Sequence, residues 1–251
     1  MDLVIAGKVA LVTGGSHGIG RAISEELGRN GCRVLVVARG QAQIDDAVAA
    51  IKAAGGEAAG LSADLTDIQS YPRMIEQAAA IFDAPDIAIF SPVAPPSGKF
   101  SQYNDADFEE SFRNIVTSFA NFVRAVKPAM KERRWGRIVT LGSGHGRLPG
   151  RAATLGFDYA LANTLRPAGV GLSRSVADEL APFGITVNTV PPGFIDTGEN
   201  YEAFFRICAQ DVGLTYEQFM KGLIDRIPMK RFGTPDEVAS LCAYLCSARA
   251  S

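Results

Sequence analysis

Val9-Ala10-Leu11-Val12-Thr13-Gly14-Gly15-Ser16-His17-Gly18-Ile19-Gly20 is the stretch that decides the fold. Four strand-forming residues run into a glycine-rich turn, and a helical pattern from Arg21 to Arg29 follows at once. Glycines let the backbone turn sharply and approach a pyrophosphate with no Cβ in the way. The helix start then aims unpaired N–H groups and the positive end of its dipole at the phosphates. A glycine triplet by itself is weak evidence, but a strand before it and a helix after it give it meaning. The turn therefore reads as a dinucleotide site in which Gly14, Ser16, Gly18, Ile19 and Gly20 face the phosphates.

Outward from this turn, apolar runs predict strands at Val9 to Val12, Arg33 to Ala38, Ala58 to Leu61, Ile87 to Phe90, Arg137 to Leu141 and Ile185 to Val190. Helical patterns fill the gaps: Gln41 to Ala53, Ile68 to Phe82, and one long helix from Asp105 to Arg134. Phe108, Phe112, Ile115, Phe119 and Phe122 recur on that long helix at spacings of three and four, which predicts a buried stripe. Strict alternation, with strands buried on both faces, predicts an α/β fold: a Rossmann-like doubly wound parallel sheet in a single domain, residues 1–251. Ligands on such a sheet bind beyond the carboxyl ends of the strands. Two irregular stretches, 91–104 and 142–156, follow strands and should border the cofactor. Residues 196–226 read as a mobile, partly helical cover over the substrate.

Composition excludes several classes of function. With 25 basic and 27 acidic residues the net charge is -2, too small a bias to draw nucleic acid or an anionic membrane. No apolar run is long enough to span a bilayer, and the N-terminus lacks the blocks of a signal peptide, so a cytoplasmic protein is expected. Cys32, Cys208, Cys242 and Cys246 have no metal-ligand spacing and read as buried free thiols, with no metal site implied.

The glycine turn, Asp64 within Ala63-Asp64-Leu65-Thr66, Gly136-Arg137-Ile138-Val139, the strand-final Ser143, Tyr159, Gly184-Ile185-Thr186-Val187-Asn188 and Pro192-Gly193-Phe194-Ile195-Asp196-Thr197 occur in this order. Together they resemble the short-chain dehydrogenase/reductase family over nearly the whole chain, 3-oxoacyl carrier-protein reductases above all. The resemblance implies hydride transfer with a nicotinamide cofactor and a homo-oligomer, dimer or tetramer. It also implies that Asp64, with Leu65 beside it, meets the adenine, and that Ile195 and Thr197 meet the carboxamide. Asn114 matches the family asparagine that holds a water in the proton relay.

Several positions depart from the family pattern. Phe90-Ser91-Pro92-Val93 replaces Asn-Asn-Ala-Gly, the Ser143 loop is longer, and no final strand ending in Val-Asp-Gly-Gly precedes Ser251. The family's Tyr-x-x-x-Lys is also missing. In the family, Tyr protonates the carbonyl oxygen, Ser holds that oxygen, and Lys binds the ribose while its charge favours tyrosinate. Here Tyr159 is followed four residues later by Asn163. Counting back without a gap from Gly184 puts the Tyr and Lys columns on Ala162 and Arg166 instead. Tyr159, Asn163 and Arg166 share a face if one helix carries them, although Pro167 could restart that helix. The preferred reading keeps Ser143, Tyr159, Asn163 and Asn114 as the catalytic set, with Arg166 on the cofactor. His145 is the reserve proton donor, unless it is a loop residue facing solvent.

The second strand ends in Arg39, with no acid in its place, and His17 lies in the turn; both favour a 2′-phosphate, hence NADP. Phe157, Phe194, Tyr201, Phe204 and Phe205 would suit a bulky or acyl-chain ketone, flanked by Arg147 and Arg151. Lys131-Glu132-Arg133-Arg134 is a weak pointer to an acyl carrier protein. The expected activity is NADP(H)-dependent reduction of a 3-oxoacyl or polyketide-like ketone or acyl thioester. The alternative is a relative that binds the nucleotide without hydride transfer: a lyase, a cyclase or a cofactor sensor.

Overall fold

The computed structural model of the chain describes residues 2–148 and 159–251. Six parallel strands form one sheet: β1 (Val9–Thr13), β2 (Arg33–Ala38), β3 (Glu57–Ser62), β4 (Ile87–Phe90), β5 (Gly136–Leu141) and β6 (Ile185–Val190), in the order β3-β2-β1-β4-β5-β6. Leu11 pairs with Leu35 on one side and Ala88 on the other, so β1 is central and the winding reverses between β1 and β4. That reversal opens a crevice at the carboxyl edge, beside the glycine turn.

Period-two alternation sends the two sides of each central strand into different cores. Ala10, Val12, Val34 and Val36 pack with α1 (Gly18–Arg29), α2 (Gln41–Ala53) and α9 (Pro235–Leu245). Val9, Leu11, Leu35 and Val37 pack with α3 (Tyr71–Ile81), α5 (Ser118–Arg133) and α6 (Ala160–Leu180). Each such side chain, removed wholly from water, contributes about 1.5–3 kcal/mol before entropy is counted. Burial on both faces holds for β1, β2, β4 and β5 but not for the two edge strands, whose middles are half-exposed. An edge strand has a neighbour on one side only, which thins its cover.

The predicted helix from Asp105 to Arg134 is corrected. It consists of α4 (Asp105–Phe112), a π-helical turn (Arg113–Thr117) and α5. A π turn absorbs one extra residue and rotates everything before it relative to everything after. Ile115, Phe119 and Phe122 therefore stay buried, while Phe112 is thrown outward and is 46% exposed. Residues 68–82 begin with a 3₁₀ turn, Ile68–Ser70, before α3.

Pro167 does not restart its helix. α6 runs unbroken from Ala160 to Leu180, sacrificing the bond that a residue-167 amide would make to the carbonyl of Asn163. After β6 the chain forms α7 (Glu199–Asp211) and α8 (Tyr216–Arg226), which close on a small core of their own around Phe205, Cys208, Phe219 and Leu223. All four cysteines are buried free thiols. No helix among the described residues is long and apolar enough to cross a membrane.

Candidate active site

The first part of the site is built from backbone. Gly14 and Gly18 both take positive φ, 64° and 53°, where a side chain would be strained. A Cβ on Gly20 would strike the carbonyl of Gly14, with that carbonyl carbon only 2.7 Å away. The turn is pinned from below: Ser24 donates to the carbonyls of Gly15 and Gly20 at 3.2 and 3.0 Å, and the Gly15 amide donates to Val37. His17 is the N-cap of α1 but makes no side-chain cap, and no acid lies in the first turn. The amides of that turn are left for an anion, so these residues fit the pyrophosphate of a dinucleotide. Ser16 is buried beneath, its hydroxyl 3.4 Å from His17 Nδ1, while Ile19 packs on the core. Thr197 sets its Cγ2 3.3 Å from where a Gly18 Cβ would lie, which brings the segment after β6 onto the turn.

Farther along the sheet edge, Arg39 is exposed at the end of β2. Asp64 uses one carboxylate oxygen to accept from the Thr66 amide and hydroxyl, both at 2.9 Å. Those bonds, with Arg39 nearby as a smaller cause, hold its carboxyl below the usual range. Asp64 thus holds a local turn with one carboxylate oxygen. Leu65 packs on the core beneath. The rebuilt wall at 90–93 is tied in by Thr13, whose hydroxyl accepts from the Ser91 amide at 2.8 Å and donates to the Ile89 carbonyl.

The second part is built from side chains at the end of β5. Ser143 caps the 3₁₀ turn Gly144–Gly146, accepting from the His145 amide at 3.4 Å. His145 is half-buried, which corrects the solvent-facing reading: its Nδ1 lies 2.9 Å from Asn163 Oδ1 and its ring stacks against Tyr159 at 4.5 Å. Tyr159 is the N-cap of α6 and packs against the core of α7 and α8. Burial pushes its phenol up to about 12. Arg166 turns its guanidinium inward, Nη1 3.4 Å from the Leu141 carbonyl, with Nε buried and unpaired among the described residues. Burial lowers it to about 10, so it remains a cation at neutral pH. Asn114 lies in the π turn, its carbonyl accepting from Ser118 at 2.7 Å. π turns are frequent at functional positions.

Ser143, His145, Gly193 and Phe194 line a cavity of about 750 Å³ together with Arg226, Met229 and Arg231. Ile195 bridges to Gly233 at its floor. Of the aromatic set expected there, Phe194 lines it, while Phe205 is fully buried and Tyr201 and Phe204 pack around it. Aromatic rings that must cover a pair of two-turn-plus helices are consumed by that packing. Arg147 is exposed; Phe157 and Arg151 lie outside the described residues. The basic run 131–134 is engaged at home: Lys131 sits over the Phe183 ring, Arg133 pairs with Asp86, and Arg134 donates to the Pro182 carbonyl. The sequence reading missed the Arg231–Glu237 pair on the cavity wall, two bonds of 2.9 and 2.6 Å. Its signal was the capping box Thr234 to Glu237 at the start of α9.

A parallel sheet wound from both sides, an uncapped glycine turn at its centre and a polar cluster two strands away define a dinucleotide-fold α/β protein. The chain belongs to the short-chain dehydrogenase family, whose model, described as short chain dehydrogenase, matches residues 8–204. It is similar to 3-oxoacyl-[acyl-carrier-protein] reductase FabG of Salmonella typhimurium, 33% identical over 98% of this chain and 92% of that protein. Among solved structures it resembles L-sorbose reductase from Gluconobacter frateurii complexed with NADPH and L-sorbose, at TM-score 0.90 and 25% identity, covering 100% of this chain and 93% of the other. It also resembles a variant of actinorhodin polyketide ketoreductase with NADPH, at TM-score 0.89 and 28% identity, covering 97% and 92%. The family places the protein among oxidoreductases acting on alcohol and ketone groups.

Proposed function

We propose that this protein is an NADP(H)-dependent reductase of a 3-oxoacyl or polyketide-like ketone, working as a cytoplasmic homo-oligomer on an acyl thioester, free or on a carrier protein. The observation that carries the reading is Ser143: its hydroxyl accepts from the His145 amide and so keeps its own proton for a carbonyl oxygen in the cavity. The glycine turn supports the pyrophosphate of the cofactor, Arg39 supplies the positive charge that a 2′-phosphate needs, and His17 stands in the turn as a further hydrogen-bonding group. Two solved relatives carry NADPH, which agrees with this choice. When bound, the reduced nicotinamide supplies the hydride to the carbonyl carbon. Arg166 puts a buried cation where β5 ends, positioned to favour the ribose and the negative charge that develops on oxygen.

The test is consumption of NADPH with acetoacetyl-CoA and with cyclohexanone as probe ketones, run in parallel with NADH. Ser143→Ala is expected to lower kcat by about a hundredfold, with the NADPH dissociation constant nearly unchanged. One observation favours a second reading. α6 runs unbroken from Ala160 to Leu180 and a 3₁₀ turn leads on to Gly184, which agrees with the ungapped count that puts Ala162 where the family keeps its tyrosine. Tight NADPH binding with no probe ketone reduced would establish that nonreducing alternative instead.

A further inference from the structure

We propose that His145, oriented by Asn163, is the proton donor of this reaction, and that Tyr159 serves as the wall against which the imidazole rests. The assignment rests on the ketone-reduction reading above and deepens it.

The argument starts from packing. Ala162 brings only a methyl group to its place on α6, yet it is 7% exposed, so something else covers that part of the helix. The Gly144–Gly146 turn packs against α6: a Cβ on Gly146 would lie 3.1 Å from Val170 Cγ2 and 3.4 Å from the Arg166 carbonyl. Glycine at 146 is what allows an approach this close. The approach carries the neighbouring side chain, His145, onto Asn163, the residue after Ala162.

Hydrogen-bond chemistry then fixes the tautomer. An amide oxygen can only accept, so at 2.9 Å from Asn163 Oδ1 the His145 Nδ1 carries the hydrogen. Nε2 is left as the nitrogen that gains and loses a proton, in a side chain that lines the cavity together with Ser143. The Tyr159 ring, 4.5 Å away at 50°, limits the imidazole's rotation. Tyr159 itself is poorly placed as an acid. It packs with α7 and α8, and no lysine stands four residues on to draw its proton off. Among the described residues, Arg147 follows His145 by two on the same loop, Arg166 comes from α6, and Arg226 with the paired Arg231 and Glu237 line the same cavity.

The step balances. A hydride from NADPH adds two electrons to the carbonyl carbon, the π pair moves to oxygen, and that oxygen takes the Nε2 proton of cationic His145. The products are the alcohol, NADP⁺ and a neutral imidazole protonated on Nδ1. Water entering the cavity restores the Nε2 proton. Asn163 is a positioning residue here, since it acts through His145 and not on the ketone.

The experiment has a kinetic arm and a spectroscopic arm. With acetoacetyl-CoA and NADPH, His145→Gln is expected to lose about a hundredfold or more in kcat while binding NADPH within about threefold of wild type. Tyr159→Phe keeps the ring that the imidazole rests on and loses only the hydroxyl, so its loss in kcat is expected to be at least about tenfold smaller than that of His145→Gln. The chain has two histidines, so comparison with His17→Gln assigns the His145 imidazole in long-range ¹H–¹⁵N spectra of the cofactor-free protein. At alkaline pH those spectra should show hydrogen on Nδ1 and a bare Nε2, and Asn163→Ala should abolish that preference. His145→Gln keeping a third of kcat overturns the assignment, as does an equal or larger loss in Tyr159→Phe, or hydrogen on Nε2 in the neutral ring. The spectra need only wild type, His17→Gln and Asn163→Ala, so they stand if His145→Gln fails to fold. Wild-type protein that binds NADPH but reduces neither probe ketone overturns the reductase reading and this step with it. Wild-type turnover with an active His145→Gln overturns this step alone.

Discussion

The turn after β1 and the cluster after β5 lie at the same edge of one sheet and are specified in opposite ways. At the turn the requirement falls on the backbone: positive φ at Gly14 and Gly18, and no Cβ at Gly20. No other residue type meets those conditions, so the pattern stands at fixed positions in the sequence. At the end of β5 the requirement falls on chemical groups: a hydroxyl, an acid and a cation. A group can be delivered from more than one place in the chain, provided that packing brings it in. His145 from a loop and Asn163 from a helix meet at 2.9 Å although 18 residues separate them. Shape is therefore specified by position, and chemistry by proximity.

The largest effect that could break this contrast is expected at Gly20. Gly20→Ala would press a methyl group into the Gly14 carbonyl and the backbone of Gly15, neither of which can swing aside as a flexible side chain would. Overpacking of that kind costs about 1–3 kcal/mol, enough to lower the melting temperature by several degrees in a domain of this size. NADPH binding should weaken by about a hundredfold or more, since the amides that would meet the phosphates are displaced. A Gly20→Ala protein that melts and binds like wild type would show that the turn is as replaceable as the cluster.

Arg166 should answer more weakly and in two directions at once. Its cation is buried, its Nε has no partner among the described residues, and its one contact of 3.4 Å to the Leu141 carbonyl is long. Exchanging an unsatisfied buried charge for a side chain of similar volume removes a desolvation cost. Arg166→Met should therefore raise the melting temperature by a few degrees while weakening NADPH binding or turnover by about tenfold, with Arg166→Lys recovering part of that loss. A melting temperature that falls would mean that the guanidinium is a structural tie and not a charge held for the cofactor.

This asymmetry explains what was legible in the sequence. The six strands were readable because apolar runs alternate with helical periods, and the glycine turn because only one residue type can make it. The π turn at Arg113–Thr117 was not readable, because nothing in Arg-Asn-Ile-Val-Thr distinguishes one hydrogen-bond register from another. Its consequence is the exposure of Phe112, against a periodicity that predicted burial. Tyr159 lies beside the site, where sequence shows a phenol and hides the apolar core of α7 and α8 packed around it. His145 was legible as a reserve proton donor on a loop, but its contact with Asn163 was not. The missing fact was how closely Gly146 lets that loop lie on α6.

The smallest predicted effect concerns the Arg231–Glu237 pair, which joins the cavity wall to the start of α9. Bonds from Arg231, then from the Thr234 amide, hold the Glu237 carboxyl down at about 2. A carboxyl lowered on folding adds stability above its unfolded value, and that stability is lost as pH falls toward the folded value. The melting-temperature difference between wild type and Glu237→Gln should thus be full at pH 7, about a degree for an exposed pair, and should shrink between about pH 5 and pH 2. Gln at 237 can still close the capping box with Thr234, so α9 stays in place and the difference isolates the charge. Half-molar salt should narrow the same difference, because exposed ion pairs are screened over about 4–5 Å at that strength. The glycine turn has no such pair, and its melting and binding defects in Gly20→Ala should not respond to salt in the same way. A Glu237→Gln difference that is independent of both pH and salt would place this wall with the turn, as a matter of shape, and would move the boundary between the two kinds of specification inside the cavity itself.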